Sequence, residues 1–346
     1  MSENRFDTVN NENENENENV SIPKNDVMAE SGEIAVETPL KKGEIAKKRV
    51  LAILKALSYT LLFFGMQIVV STAFAVFFSL ASKGDEEKYL ELYNYWSNFI
   101  VFLSGLLSVI AVLCIYVIKN GFARLEDREK FTDFVEIKPI KPLTAWIALF
   151  TGIFLNYAIN IVLSLLPSSW LEDYAESSAS MTAGPAIFYV LGGIIMAPIV
   201  EEIFFRGLVQ NRLSRVMSPI VSIGLSSVIF GVGHGHPLWM VYAAALGAIF
   251  GVVYHKSGSI LTTMLMHFGF NGINIIAYLL MNTKAYEFVM QLPNIMQGAE
   301  HSFARTDILI GATYYAFALI MTLLSIPCSV AGLLYLLLWS RKKKQN

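Results

Sequence analysis

Apolar residues fall in long, nearly unbroken runs separated by short polar turns. The runs lie near residues 50–81, 96–118, 142–166, 185–205, 219–235, 237–255, 259–281 and 307–339. A helix that crosses a bilayer needs about 20 apolar residues, and lipid tolerates only elements that satisfy their own backbone polar groups. The pattern predicts an all-α fold, a polytopic transmembrane helical bundle of about eight spans. The last run is long enough to tilt or bend, and Pro327 marks where it would kink. Between the fourth and fifth runs, Met217-Ser218-Pro219 reads as a turn, with Ser218 as N-cap and Pro219 in the first helical position.

Composition agrees with that pattern: 54% of residues are hydrophobic and 16% charged, and mean hydropathy is +0.50. The first residues differ in kind. Asn11 to Asn19 is an alternating Asn/Glu tract with few large apolar neighbours. Such a segment buries too little surface to fold, so residues 1–46 are expected to be a disordered cytoplasmic tail and 47–346 a multi-span membrane domain. No apolar stretch begins near Met1, so the tail does not read as a signal peptide. Cys114 and Cys328 both fall in apolar runs and read as small core residues, with no disulfide framework.

The net charge of −2 hides a segregation along the chain. Basic residues mark cytoplasmic loops. They cluster at Lys41–Arg49, Lys119–Lys141, Arg206–Arg215, Lys256 and Arg341–Lys344, whereas Asp85-Glu86-Glu87 and Glu172–Glu176 are acidic. Eight spans with both termini cytoplasmic satisfy every one of these loops. Nothing in the chain resembles a nucleic-acid-binding element.

Within the fourth run stand two adjacent carboxylates, Glu201 and Glu202. A charged group at the bilayer centre costs about 2.5–3.5 kcal/mol by insertion scales, so two side by side call for a role. Residues four apart share a helix face, which pairs Glu202 with Arg206. Glu201 is rotated by about 100° and points elsewhere. Phe230 and His234 form a second such pair, and His267 and Asn271 a third. Glu201 lies about 16 residues before the Ser218 turn and His234 about 16 after it. Gly207 to Met217, with its Arg and Asn residues, is expected to project into the cytoplasm. That would lower both residues into the bilayer and let Glu201, His234, His267 and Asn271 converge on one buried pocket.

Chemically the set suits peptide hydrolysis. A carboxylate activates water as general base, worth about 10²–10⁴-fold. Two imidazoles position that water or bind a metal that lowers its pKa, and Asn271 would donate to a developing oxyanion. Pro198 leaves the carbonyl of Ile194 without its helical donor, opening the local backbone.

The three motifs in this order, E-E-x-x-x-R, F-x-x-x-H and H-x-x-x-N, resemble the CPBP family of intramembrane proteases. That family includes the type II CAAX prenyl endopeptidases and the bacterial Abi, or bacteriocin-immunity, proteins. The resemblance covers a core at about 183–281. It implies that Glu201 is the water-activating base, with Glu202, Arg206 and Phe230 in support and His234, His267 and Asn271 as further catalytic groups. It also implies a membrane-associated peptide or protein substrate in contact with membrane lipid, in a bacterial cell membrane. Family members are commonly called metalloproteases. A divalent metal such as zinc on His234 and His267 and a metal-free glutamate and histidine mechanism both stay open. H-E-x-x-H is absent from the sequence.

Other readings compete. The Glu202–Arg206 pair suits a buried packing contact, and His267 and Asn271 suit interhelical hydrogen bonds. A non-catalytic immunity or regulatory protein would keep this fold and use the pocket for recognition. A transporter would use the carboxylates for ion coupling, but no internal repeat supports it. Gly247 and Gly251 form a G-x-x-x-G that permits close helix contact.

Overall fold

The computed structural model describes residues 42–180, 184–280, 283–297 and 303–339, and every element among them is helical. The Asn/Glu tract, the basic C-terminal cluster Arg341–Lys344 and His301 lie outside the described residues. Two long helices come first, α1 (Lys42–Ser82) and α2 (Glu86–Phe122). After a loop come α3 (Pro142–Ser164) and a short α4 (Ser168–Ser180). The composite helix α5 (Ala186–Ser214) follows. Then come α6 (Pro219–Val232), α7 (Pro237–Ser257), α8 (Ile260–Gly272) and its offset continuation α9 (Asn274–Leu280). The chain ends with α10 (Lys284–Met296) and α11 (Arg305–Trp339), which runs through Pro327 as one helix.

Each of the eight apolar runs is helical, and the protein is an integral membrane helical bundle. Six helices are long and apolar enough to cross a bilayer. The fifth and seventh runs are shorter than expected. The 14 residues of α6 and 13 of α8 reach only about 20 Å at 1.5 Å per residue. They end early for local reasons. Gly233 and Gly235 break α6 in the turn that carries His234, with Gly235 in the left-handed region (φ 74°). The expected start signal at Ser218 holds: its side chain caps α6 through Val221 N–H. His236 likewise caps α7 through Leu238 N–H. Segments left as loops by the hydropathy pattern form α4 and α10.

Apolar side chains cover the outside of the long helices, among them Leu61, Leu80, Val117 and Leu323, as a lipid-facing surface requires. Cys114 belongs to that outer surface, which corrects its assignment to the core. A helix apolar on all sides gives the sequence no means of telling lipid from neighbour. The inside holds both the apolar core and the polar groups. Phe204, Phe205, Leu208, Phe230 and Val135 pack in one cluster, and Glu202 and Arg206 are sealed among them.

The segment after Arg206 also departs from expectation. Gly207 to Leu213 does not project freely: Leu208, Val209, Gln210 and Leu213 are buried. The cover is the loop before α3. Val135 lies against Gly207, and Glu136 accepts from Asn211 Nδ2 at 2.8 Å. This cover comes from a segment 75 residues away, beyond the reach of a local pattern.

Candidate active site

The site is built on α5, where the helix is twice wound more loosely than an α-helix. Residues Val190–Met196 and Glu202–Gln210 are π-helical, a form often found at functional positions. The first widening has a visible cause. Ala197 N–H bonds to the Gly192 carbonyl five residues back. In that register the next carbonyl, Gly193, faces Pro198, which has no N–H. Asn271 on α8 fills the gap by donating its Nδ2 to Gly193 O at 2.8 Å. The carbonyl freed by Pro198 is thus that of Gly193, one residue earlier than regular α-helical spacing implies. In the second widening, Ser226 on α6 donates to Phe205 O at 2.9 Å.

Glu202 is fully buried and meets three partners. Arg206 Nη1 stands 3.1 Å from its Oε1, an ion pair one turn along the helix. That nitrogen lacks the alignment of a hydrogen bond, so the contact is one of charge. Thr263 on α8 donates its hydroxyl to Oε2 at 2.7 Å. His267 sets its Nδ1 3.2 Å from Oε1. Arg206 in turn donates Nη2 to Gly247 O at 3.3 Å, and its guanidinium lies 4.7 Å from the Phe230 ring and 5.5 Å from the Phe250 ring. One turn on, Gln210 donates to Gly251 O at 2.9 Å. The G-x-x-x-G of α7 therefore serves contacts within this chain. Its small residues let α5 reach their carbonyls and let α6 pack close, with Ser227 and Phe230 against Gly247.

Glu201 does point elsewhere. Its carboxylate is part-exposed, and its Oε2 lies 3.7 Å from His267 Nε2. The imidazole of His267 therefore stands between two carboxylates, one sealed on Nδ1 and one accessible near Nε2. Phe250 and Phe230 hold the ring, at 5.4 and 6.2 Å between centroids.

His234 sits in the turn after α6, with Nδ1 on Phe230 O at 2.9 Å and its ring 4.8 Å from that of Phe230. Phe230 thus links His234 to His267 through its ring. The structure brings together Glu201, Glu202, Arg206 and His267, turns Asn271 to Gly193, and places His234 on the far side of Phe230. Thr263 and the Gly247 carbonyl escaped the sequence reading. Thr263 was within reach of it, since Thr263 and His267 are four residues apart on one face.

His234 and His267 offer metal donors in kind. Each anchors Nδ1 on an acceptor and leaves Nε2 free, as metal-binding histidines do. As placed, however, no three His, Cys, Asp or Glu side chains among the described residues are arranged to hold a metal ion.

Residues 183–273 match the family description "Type II CAAX prenyl endopeptidase Rce1-like". The match covers all three motifs and all of the groups above. Over this core the chain is similar to the CPBP family of membrane proteases. The chain is also similar to "Putative membrane peptidase YdiL" of Bacillus subtilis, 28% identical over 120 residues. That is 35% of this chain and 44% of the relative, so the chain matches less than half of its relative's length. No solved structure matches.

Proposed function

We propose that the protein is an intramembrane endopeptidase that hydrolyses a peptide bond of a membrane-associated peptide or protein, with Glu201 as general base. One observation carries this reading. In an otherwise apolar bundle, His267 is held on Nδ1 by a sealed carboxylate and faces an accessible carboxylate, Glu201, across a 3.7 Å gap. A water seated beside that pair, on the open side of Glu201, gives its proton to Glu201 as its oxygen attacks the scissile carbonyl. Glu202 accepts from His267 Nδ1, so the ring nitrogen turned to the reaction is Nε2. That nitrogen accepts from the attacking water and orients it, and Glu201 then passes the proton it took from the water to the leaving amine as the C–N bond breaks. Asn271 keeps the α5 backbone open beside the site. His234 borders the pocket beyond Phe230 and contributes its Nε2 to the substrate side.

The loop charges support a cytoplasmic location for both termini, and the named relative supports a bacterial membrane. Processing of a bacteriocin-like or CAAX-like peptide, with self-immunity as its outcome, fits the same core. The test compares wild type with Glu201→Gln in nanodiscs on a membrane-peptide library read by mass spectrometry, with and without chelator. Cleavage that disappears in Glu201→Gln supports the base. Equal cleavage in both removes Glu201 from that role, and no cleavage in either favours a non-catalytic immunity or regulatory protein. The chelator arm reports on a zinc-like divalent metal at His234 and His267.

A further inference from the structure

A recess of about 90 Å³ opens between α3, α4, α7 and α8, away from the carboxylates. Its wall includes Asn156, Asn160, Tyr174, Tyr242, Phe270 and Asn274, and no charged side chain among the described residues lines it. Asn156 is buried at the floor, where its Nδ2 donates to Phe270 O at 3.0 Å. Asn160 spends its Nδ2 on Asn156 at 3.1 Å, which leaves its Oδ1 as an acceptor. Asn274 stands at the mouth, and its carboxamide makes no hydrogen bond among the described residues.

Two helices lead from the candidate active site to this recess. From His267 on α8 to Asn274, the first residue of α9, is seven residues. Along α7, Phe250, which touches the His267 ring, and Tyr242 are eight apart. At 1.5 Å per residue both routes measure about 10–12 Å. An extended peptide covers that in about three residues at ~3.3 Å each.

The lining selects the chemistry. Carboxamides and phenol hydroxyls supply both donors and acceptors, while an isolated charge without a counter-charge is strongly disfavoured in such a site. The volume is that of about three waters at ~30 Å³ each, the room that the three heavy atoms of one amide group need. We propose that the recess is a substrate subsite for a neutral amide, about three residues from the scissile bond, with Asn274, Asn160 and Tyr242 as its recognising groups. The proposal rests on the peptidase reading for its place along a substrate. The amide comes from an Asn or Gln side chain or from the substrate's main chain.

The test measures binding and cleavage separately on the full-length protein in nanodiscs. The probes are acetylated, C-terminally amidated Leu/Ala heptapeptides with one position at a time set to Asn, Gln, Asp or Leu. A second series replaces one peptide group with an ester. Expected is binding about tenfold tighter for Asn or Gln than for Asp and Leu at one position, and loss of that preference in Asn274→Leu and in the milder Tyr242→Phe. If the main chain supplies the amide, one ester position weakens binding instead, and the same two variants erase the difference. Preference without any cleavage would retain the amide site and remove the peptidase reading. Equal binding of all probes, tighter binding of Asp, no binding at all, or a preference untouched by both variants overturns the proposal.

Discussion

Asn271 donates to the Gly193 carbonyl at 2.8 Å, and Pro198 is the reason that carbonyl is free. A side chain of the H-x-x-x-N motif therefore completes the hydrogen bonding of the helix that carries the two glutamates. Asn271→Ala would orphan a part-buried carbonyl, at about 1–3 kcal/mol. In Pro198→Ala the backbone regains an N–H for the same carbonyl, so the second substitution should then cost less. A four-member cycle of thermal unfolding in detergent is expected to show a coupling of about 0.5–3 kcal/mol. Additive effects would disconnect the two residues.

The adjacent glutamates should behave oppositely. Glu202→Gln leaves Arg206 buried without its counter-charge, at about 3–5 kcal/mol of stability. Glu201 has no such dependent partner, and Glu201→Gln should unfold near the wild-type temperature while losing cleavage. Matched melting curves and product yields for the two variants decide it. A large destabilisation by Glu201→Gln would mean that its carboxylate is structural.

How much of this was legible can be read residue by residue. The Ser218-Pro219 start is a local device, and it stands where the sequence puts it. The Glu202–Arg206 pair follows from helical periodicity alone. The π-helical windings do not, because they depend on Asn271 and Ser226 arriving from other helices to take the released carbonyls. The cover over Gly207–Leu213 depends on Val135 and Glu136, far away in sequence. The outward turn of Cys114 depends on which side of an all-apolar helix meets lipid. His234 illustrates a partial reading: periodicity pairs it with Phe230, but the short α6 sets it beyond that ring.

Thr263 gives the sharpest test of Glu202's role. Thr263→Val is nearly isosteric and removes the hydroxyl that donates to Oε2. It should cost about 1.5–3 kcal/mol, the range for a hydrogen bond to a charged group. Thr263→Ser keeps the donor and should recover most of that loss. Peptide cleavage by Thr263→Val should fall with it, since Glu202 also holds His267. Equal stability of the valine and serine variants would show that the hydroxyl contributes nothing.

Close backbone contact positions α8. A Cβ on Gly269 would overlap the Leu149 carbonyl oxygen, and one on Gly152 would overlap that of Met266. Gly269 lies between His267 and Asn271, so Gly269→Ala forces α8 from α3 just where both side chains emerge. Overpacking of this kind costs about 1–3 kcal/mol or more. Cleavage should fall more than stability alone explains, because a small displacement widens the 3.7 Å gap to Glu201. An alanine variant with wild-type turnover would show that the contact is loose.

Glu136 clips the two helices that carry the site. Its carbonyl accepts from Ile260 N–H at the start of α8 at 3.0 Å. Its carboxylate accepts from Asn211 on α5, with Lys138 Nζ at 2.7 Å and Arg215 at 3.9 Å. The residue adopts φ 62°, a left-handed conformation costing about 1–2 kcal/mol for a side chain with a Cβ. Glu136→Gly removes the carboxylate and also that strain, so its net change should be small, within about 1 kcal/mol. Glu136→Val removes the same carboxylate and keeps a strained, β-branched residue, so it should be less stable than the glycine variant by about 1–2 kcal/mol. Thermal unfolding of the pair in one detergent separates backbone from side chain. A valine variant as stable as the glycine variant would mean that the backbone there does not hold the left-handed geometry on which the Ile260 contact depends.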